Sequence, residues 1–107
     1  MNPKNIFEET LPAELKKKGD DVLKVNAVYQ FKISGPEGGD WYVDTTKSGG
    51  EVGAGENPKA KCTISISDKD FMDLISGKLK GQMAVMTGKL KIKGDMSLAM
   101  KLGSVIG

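Results

Sequence analysis

Hydrophobic and polar positions change period several times along the chain, and each change marks an element. Residues 2–19, NPKNIFEETLPAELKKKG, set Ile6, Phe7, Leu11 and Leu15 at helical spacing between a candidate N-cap, Asn2, and a stop at Gly19. With Pro3 at the first helical position, this predicts an amphipathic helix, kinked at Pro12. In VNAVYQFKI the period falls to two, with Val25, Ala27, Tyr29, Phe31 and Ile33 on one side and Asn26, Gln30 and Lys32 on the other. The turn cluster GPEGGD, residues 35–40, leads into WYVDTT, where Trp41 and Val43 alternate with Tyr42 and Asp44. The two runs predict an antiparallel hairpin.

The glycine-rich residues 47–59 supply at most one short strand, around Glu51 to Gly53. Their GGEVGAG run is turn chemistry rather than a phosphate cradle, since no helix opens after it and no Lys-Ser or Lys-Thr pair closes it. AKCTISI then turns Ala60, Cys62, Ile64 and Ile66 inward as another strand. Ser67 and Asp70 open a short helix that carries Phe71, Met72, Leu74 and Ile75 and stops at Gly77. GQMAVMTG, residues 81–88, adds one or two helical turns, and KLKIK alternates Leu90 and Ile92 with Lys89, Lys91 and Lys93. DMSLAMKLGSVI, from Asp95, predicts a last helix of about 16 Å. Its apolar positions are Met96, Leu98, Ala99, Met100, Leu102, Val105 and Ile106, and Lys101 is its only charge after Asp95. Such a helix must be buried on two sides or cover something apolar.

A length of 107 residues fits a single domain, residues 1–107. Apolar residues at 38% and charged residues at 28% describe an ordinary globular chain, with no apolar run long enough to span a membrane and no signal segment at its start. Cys62 is the only cysteine, so no intrachain disulfide forms and a reducing, cytoplasmic setting is expected. Histidine is absent, which removes the commonest general base and metal ligand and weakens most enzyme readings. All 16 basic residues are lysine, so the bidentate fork that reads guanine edges is lacking. Residues 78–107 hold six lysines against one acid and contain no aromatic residue, a pattern that does not suit nucleic acid, which needs stacking partners.

Every methionine except Met1 lies between Met72 and Met100. Unbranched, polarizable side chains suit a surface that fits variable apolar shapes, and they also serve as gap-fillers in an ordinary core. The lysines beside them form either a basic rim for a headgroup or an anionic membrane, or a solvated strand face. Asp20 with Asp21, and Asp68 with Asp70 and Asp73, are explained as turn and helix-N-terminal residues. Cys62, on the inward phase of its strand with no histidine to activate it, reads as a buried apolar residue. No catalytic residue, metal site or cofactor is expected.

Residues 62–102, CTISISDKDFMDLISGKLKGQMAVMTGKLKIKGDMSLAMKL, resemble the signature of the sterol carrier protein type-2 domain, above all in MTGKLKIKGDMSLAMKL. The N-terminal helix, VNAVYQFKISG and WYVDTTKSG resemble the family more loosely. The resemblance implies an α/β fold of the α+β type: five mostly antiparallel strands covered by about five helices, with an apolar tunnel between sheet and helices. The tunnel would hold a fatty acid, fatty acyl-CoA, sterol or phospholipid. By position, its lining would be Phe71, Leu74 and Ile75, then Met83 and Met86, Leu90 and Ile92, and Met96, Leu98, Ala99, Met100 and Leu102. Lys89, Lys91 and Lys93 are candidates for contact with a headgroup or membrane. The chain ends Ser104-Val105-Ile106-Gly107, without the Ala-Lys-Leu-type peroxisomal address of animal members.

The expected function is therefore non-enzymatic, intracellular lipid binding and transfer by a monomer or weak homodimer, with transient contact with anionic membrane and none with nucleic acid. The alternative is an interaction domain that docks or dimerises through its apolar C-terminal helix, as a module of a larger lipid-metabolising protein. An acyl-group enzyme would need a base that the sequence lacks.

Overall fold

The computed structural model describes residues 2–102. Its N-terminal helix opens on a reciprocal cap: the Asn2 side chain accepts from the Asn5 backbone N–H at 2.9 Å, and the Asn5 side chain accepts from that of Asn2 at 3.2 Å. The helix runs as α1 (Pro3–Asn5), a π-helical turn (Ile6–Thr10) and α2 (Leu11–Lys18), followed by a 3-10 helix (Gly19–Lys24). Pro12 has no N–H to give the Glu8 carbonyl, and the turn just before it widens, with the Leu11 N–H bonded to the Ile6 carbonyl. A π-helical turn therefore stands just ahead of Pro12, where the sequence predicts a kink.

The sheet has the order β3-β2-β1-β4-β5. Its strands are β1 (Val28–Ser34), β2 (Gly39–Asp44), β3 (Glu51–Ala54), β4 (Cys62–Ser67) and β5 (Leu90–Gly94). Pairs β1–β2, β2–β3 and β4–β5 are antiparallel, while β1 and β4 run parallel at the centre, with Tyr29 opposite Cys62 and Phe31 opposite Ile64. The sheet is thus mostly antiparallel, as expected. β1 starts at Val28 rather than Val25, because Asn26 takes the left-handed conformation (φ 49°), which breaks the extended run.

The helices α3 (Asp68–Ser76), α4 (Gly81–Met86) and α5 (Met96–Met100) complete the described fold; with α1, the π turn and α2 taken as one continuous helix, the described residues hold four helices. Ser67 caps α3 by accepting from the Asp70 N–H, and Gly77 ends it at φ 85°. The last helix is shorter than its apolar pattern predicts. It is capped by Asp95 and passes into a turn at Lys101 and Leu102, and Val105 and Ile106 lie outside the described residues.

One sheet face carries the core. Phe7, on the π turn, stacks on Trp41 at 5.3 Å and on Phe71 at 5.2 Å, and meets Phe31 at a tilt. Such pairs contribute about 0.5–1.5 kcal/mol each beyond area burial. The opposite face is polar along Lys32, Ser65 and Lys91, but Gln30 departs from the predicted alternation and is buried there. Its amide donates to the carbonyls of Trp41 and Gly55, each at 3.0 Å, and accepts from the Asn57 N–H at 2.8 Å. The loop after β3 is thereby clamped over the centre of the sheet.

Candidate functional site

β5 is the edge strand on which α4 and α5 lie. Strand alternation sends Leu90 and Ile92 to the helix-covered face and Lys91 and Lys93 to the other. Between that edge and the helices is an apolar cavity of about 740 Å³. Its floor is Leu90 and Ile92; Leu74 and Leu79 close one side, Gly81, Gln82, Val85 and Met86 come from α4, and Met96, Ala99 and Met100 from α5, with Leu102 beyond. The volume falls within the range of small-molecule sites. Among the described residues that line it, none has an ionizable side chain and Gln82 is the only polar one.

Two anchors hold α5 in place. Tyr29, buried on β1, donates its hydroxyl to the Leu98 carbonyl. Burial pushes the Tyr29 phenol up to about 12, with smaller contributions from Cys62 and Asp95. At the start of the helix, the Asp95 carboxylate accepts from the Ser97 hydroxyl and backbone N–H, which hold it below the usual carboxylate range. Gly94 makes the turn from strand to helix. Its φ is +106°, and a Cβ there would meet the Lys61 carbonyl oxygen, so only glycine fits without strain.

Eight of the twelve residues placed in the lining by position are found there: Leu74, Met86, Leu90, Ile92, Met96, Ala99, Met100 and Leu102. Four are not. Phe71 is fully buried in the aromatic core against Phe7 and Phe31. Ile75 is half-buried against the core, Leu98 is buried beneath α5, and Met83 stands half-exposed on α4. Leu79, Gly81, Gln82 and Val85 were absent from the expected set. A signal for Val85 was present in the unbroken apolar run Met83 to Met86, too apolar for a one-sided surface helix.

The lysine candidates lie away from the apolar cavity. Lys89 and Lys91 border a second, polar hollow of about 630 Å³ on the other sheet face, with Lys32, Asp40, Asp70 and several hydroxyls, and Lys93 borders neither cavity. The alternation that turns Leu90 and Ile92 into the apolar cavity turns Lys91 and Lys93 away from it.

Cys62 is buried, and burial raises its thiol pKa, so it holds little nucleophilic thiolate. Among the described residues no three acids, cysteines or histidines converge as a metal site would require, and no helix is long and apolar enough to cross a membrane.

Sheet, helices and cavity together define an α+β domain built around a nonpolar compartment. The sequence profile of the SCP-2 sterol transfer family matches residues 7–107, and the chain belongs to that family. It is 36% identical to the sterol carrier protein domain 2 of Helicoverpa armigera, whose solution structure superposes with a TM-score of 0.77 over 97% of this chain and 88% of that one. The palmitated SCP2L2 of Aedes aegypti is 30% identical, with a TM-score of 0.78 over 99% of this chain and 95% of that one. Bovine hydroxysteroid dehydrogenase-like protein 2 is 48% identical over 97 residues, which are 89% of this chain and 23% of that relative. The chain thus spans about a quarter of the length of that relative.

Proposed function

We propose that the domain is a non-catalytic lipid carrier that takes one acyl chain or sterol into the cavity, shields it from water and releases it to a membrane or an enzyme. The observation that carries this reading is the 740 Å³ compartment, with no ionizable side chain among the described residues that line it. It offers burial, and almost no polar chemistry. At about 0.8 kcal/mol per CH₂, a long acyl chain supplies roughly 10 kcal/mol of gross transfer energy before ordering costs. The palmitate carried by the Aedes aegypti relative supports an acyl chain as one occupant. Leu74, Met86, Leu90, Ile92, Met96, Ala99, Met100 and Leu102 would contact the ligand.

The test is native mass spectrometry of the purified protein, followed by displacement of a fluorescent fatty acid by palmitate, palmitoyl-CoA and cholesterol. Co-purified lipid or competitive displacement is expected and ranks the ligands. A clean apo mass with no uptake overturns the reading in favour of an interaction domain. The length of the bovine relative supports a module role, in which the domain presents lipid to a neighbouring catalytic unit of a longer chain.

A further inference from the structure

We propose that Met86, Met96 and Met100 are a modification site, where oxidation of their thioethers to sulfoxides by hydrogen peroxide weakens binding of an apolar ligand and reduction of the sulfoxides restores it. The proposal rests on the carrier reading, because uptake must exist before it can be lost.

The location follows from two properties that coincide at these three residues. Each lines the apolar cavity, and each is open to water: Met96 is 58% exposed, Met86 79% and Met100 87%. Met83 has only the second property, since it is exposed on α4 without lining the cavity. Met72 has neither, being half-buried on α3 against the core. Cys62, the only thiol, is buried in β4, and burial raises its pKa. Peroxide in solution therefore meets the thioethers at the cavity rim before it meets the thiol.

The chemistry balances without a cofactor. A sulfur lone pair attacks one oxygen of hydrogen peroxide, and the O–O bond breaks as the S–O bond forms. The proton on the transferred oxygen passes to the displaced hydroxide, which leaves as water. Sulfur is oxidised by two electrons and peroxide is reduced by two. The product is no longer an apolar wall. Gln82 carries the only polar side chain among the described residues that line the cavity, so its two amide protons are the only side-chain donors there to meet three sulfoxide oxygens. A ligand that displaces water from this lining leaves acceptors without partners, and its affinity falls. Leucine would give a wall of similar volume without the reversible step.

The experiment treats the domain with hydrogen peroxide, removes the excess with catalase, maps the sulfoxides by peptide mass spectrometry and measures palmitate displacement of a fluorescent fatty acid before and after. Part of each treated sample is then incubated with methionine sulfoxide reductases for both sulfoxide epimers. Wild type is expected to gain one oxygen at each of Met86, Met96 and Met100 and to keep its melting transition. Its palmitate affinity should fall about tenfold or more and recover on reduction. Met86→Leu/Met96→Leu/Met100→Leu, compared with its own untreated sample, should lose no affinity while Met83 is oxidised, whereas Met83→Leu should respond as wild type does. Undiminished affinity of wild type carrying all three sulfoxides overturns the proposal. So does a loss that persists in the triple variant or that the reductases fail to reverse. Absence of uptake before any treatment overturns the carrier reading itself, an outcome that the untreated samples show on their own.

Discussion

The Tyr29 hydroxyl donates to the Leu98 carbonyl at 2.5 Å, tying the central strand to the short helix that forms one wall of the cavity. The same carbonyl also accepts from the Lys101 N–H. Tyr29→Phe therefore leaves it partnered, and the expected loss of stability is about 1 kcal/mol rather than the larger cost of an orphaned polar group. Denaturant unfolding measures that loss, and faster amide exchange confined to α5 would place it.

The same hydroxyl predicts a dependence on alkaline pH. Its folded value of about 12 lies above the ordinary 10, so the folded state holds this proton more tightly than the unfolded chain. The stabilisation is complete below pH 10 and is lost as pH rises from 10 towards 12. Stability curves of wild type and Tyr29→Phe should converge across that window. Parallel curves would show that the Tyr29 proton does not set this pH dependence.

Ala99 is a half-buried residue on α5 that lines the cavity and also packs against the core. Ala99→Phe should fill part of the cavity and reduce fatty acid uptake by about tenfold or more. A variant of unchanged uptake would show that the acyl chain does not pass α5.

Gln30 makes three hydrogen bonds from a buried position, to Trp41, Gly55 and Asn57. Gln30→Met keeps much of its volume and removes all three bonds, so a loss of about 2–3 kcal/mol is expected in urea unfolding. Protease cleavage in the released loop, between Gly55 and Lys59, would distinguish loss of the clamp from a general weakening of the sheet.

The elements were legible in the sequence because each is patterned at its own period. Asn2 and Pro3, Ser67 and Gly77, and the alternations around Phe31 and Leu90 all fall where the structure puts them. Layering was less legible. Phe71 and Leu74 share one turn of α3, yet Phe71 enters the aromatic core and Leu74 the cavity, a choice made by Phe7 from the far end of the chain. Periodicity identifies an apolar face without identifying its neighbour. Gln30 was hidden for a related reason: the loop that buries it, GENPKAK, carries no periodic pattern. The parallel pairing of β1 with β4 was equally invisible, since inward alternation looks the same in either strand direction.

That pairing sets an order of events during synthesis. β1 is central in the finished sheet, but its neighbour β4 is made only after β2, β3 and the glycine-rich loop. Until Cys62–Ser67 leaves the ribosome, the edge of β1 that faces β4 is bare, the edge on which the Val28 carbonyl accepts from the Lys61 N–H in the finished fold. For that interval the emerging chain is most open to pairing with another strand, and a nascent-chain chaperone would have most to protect.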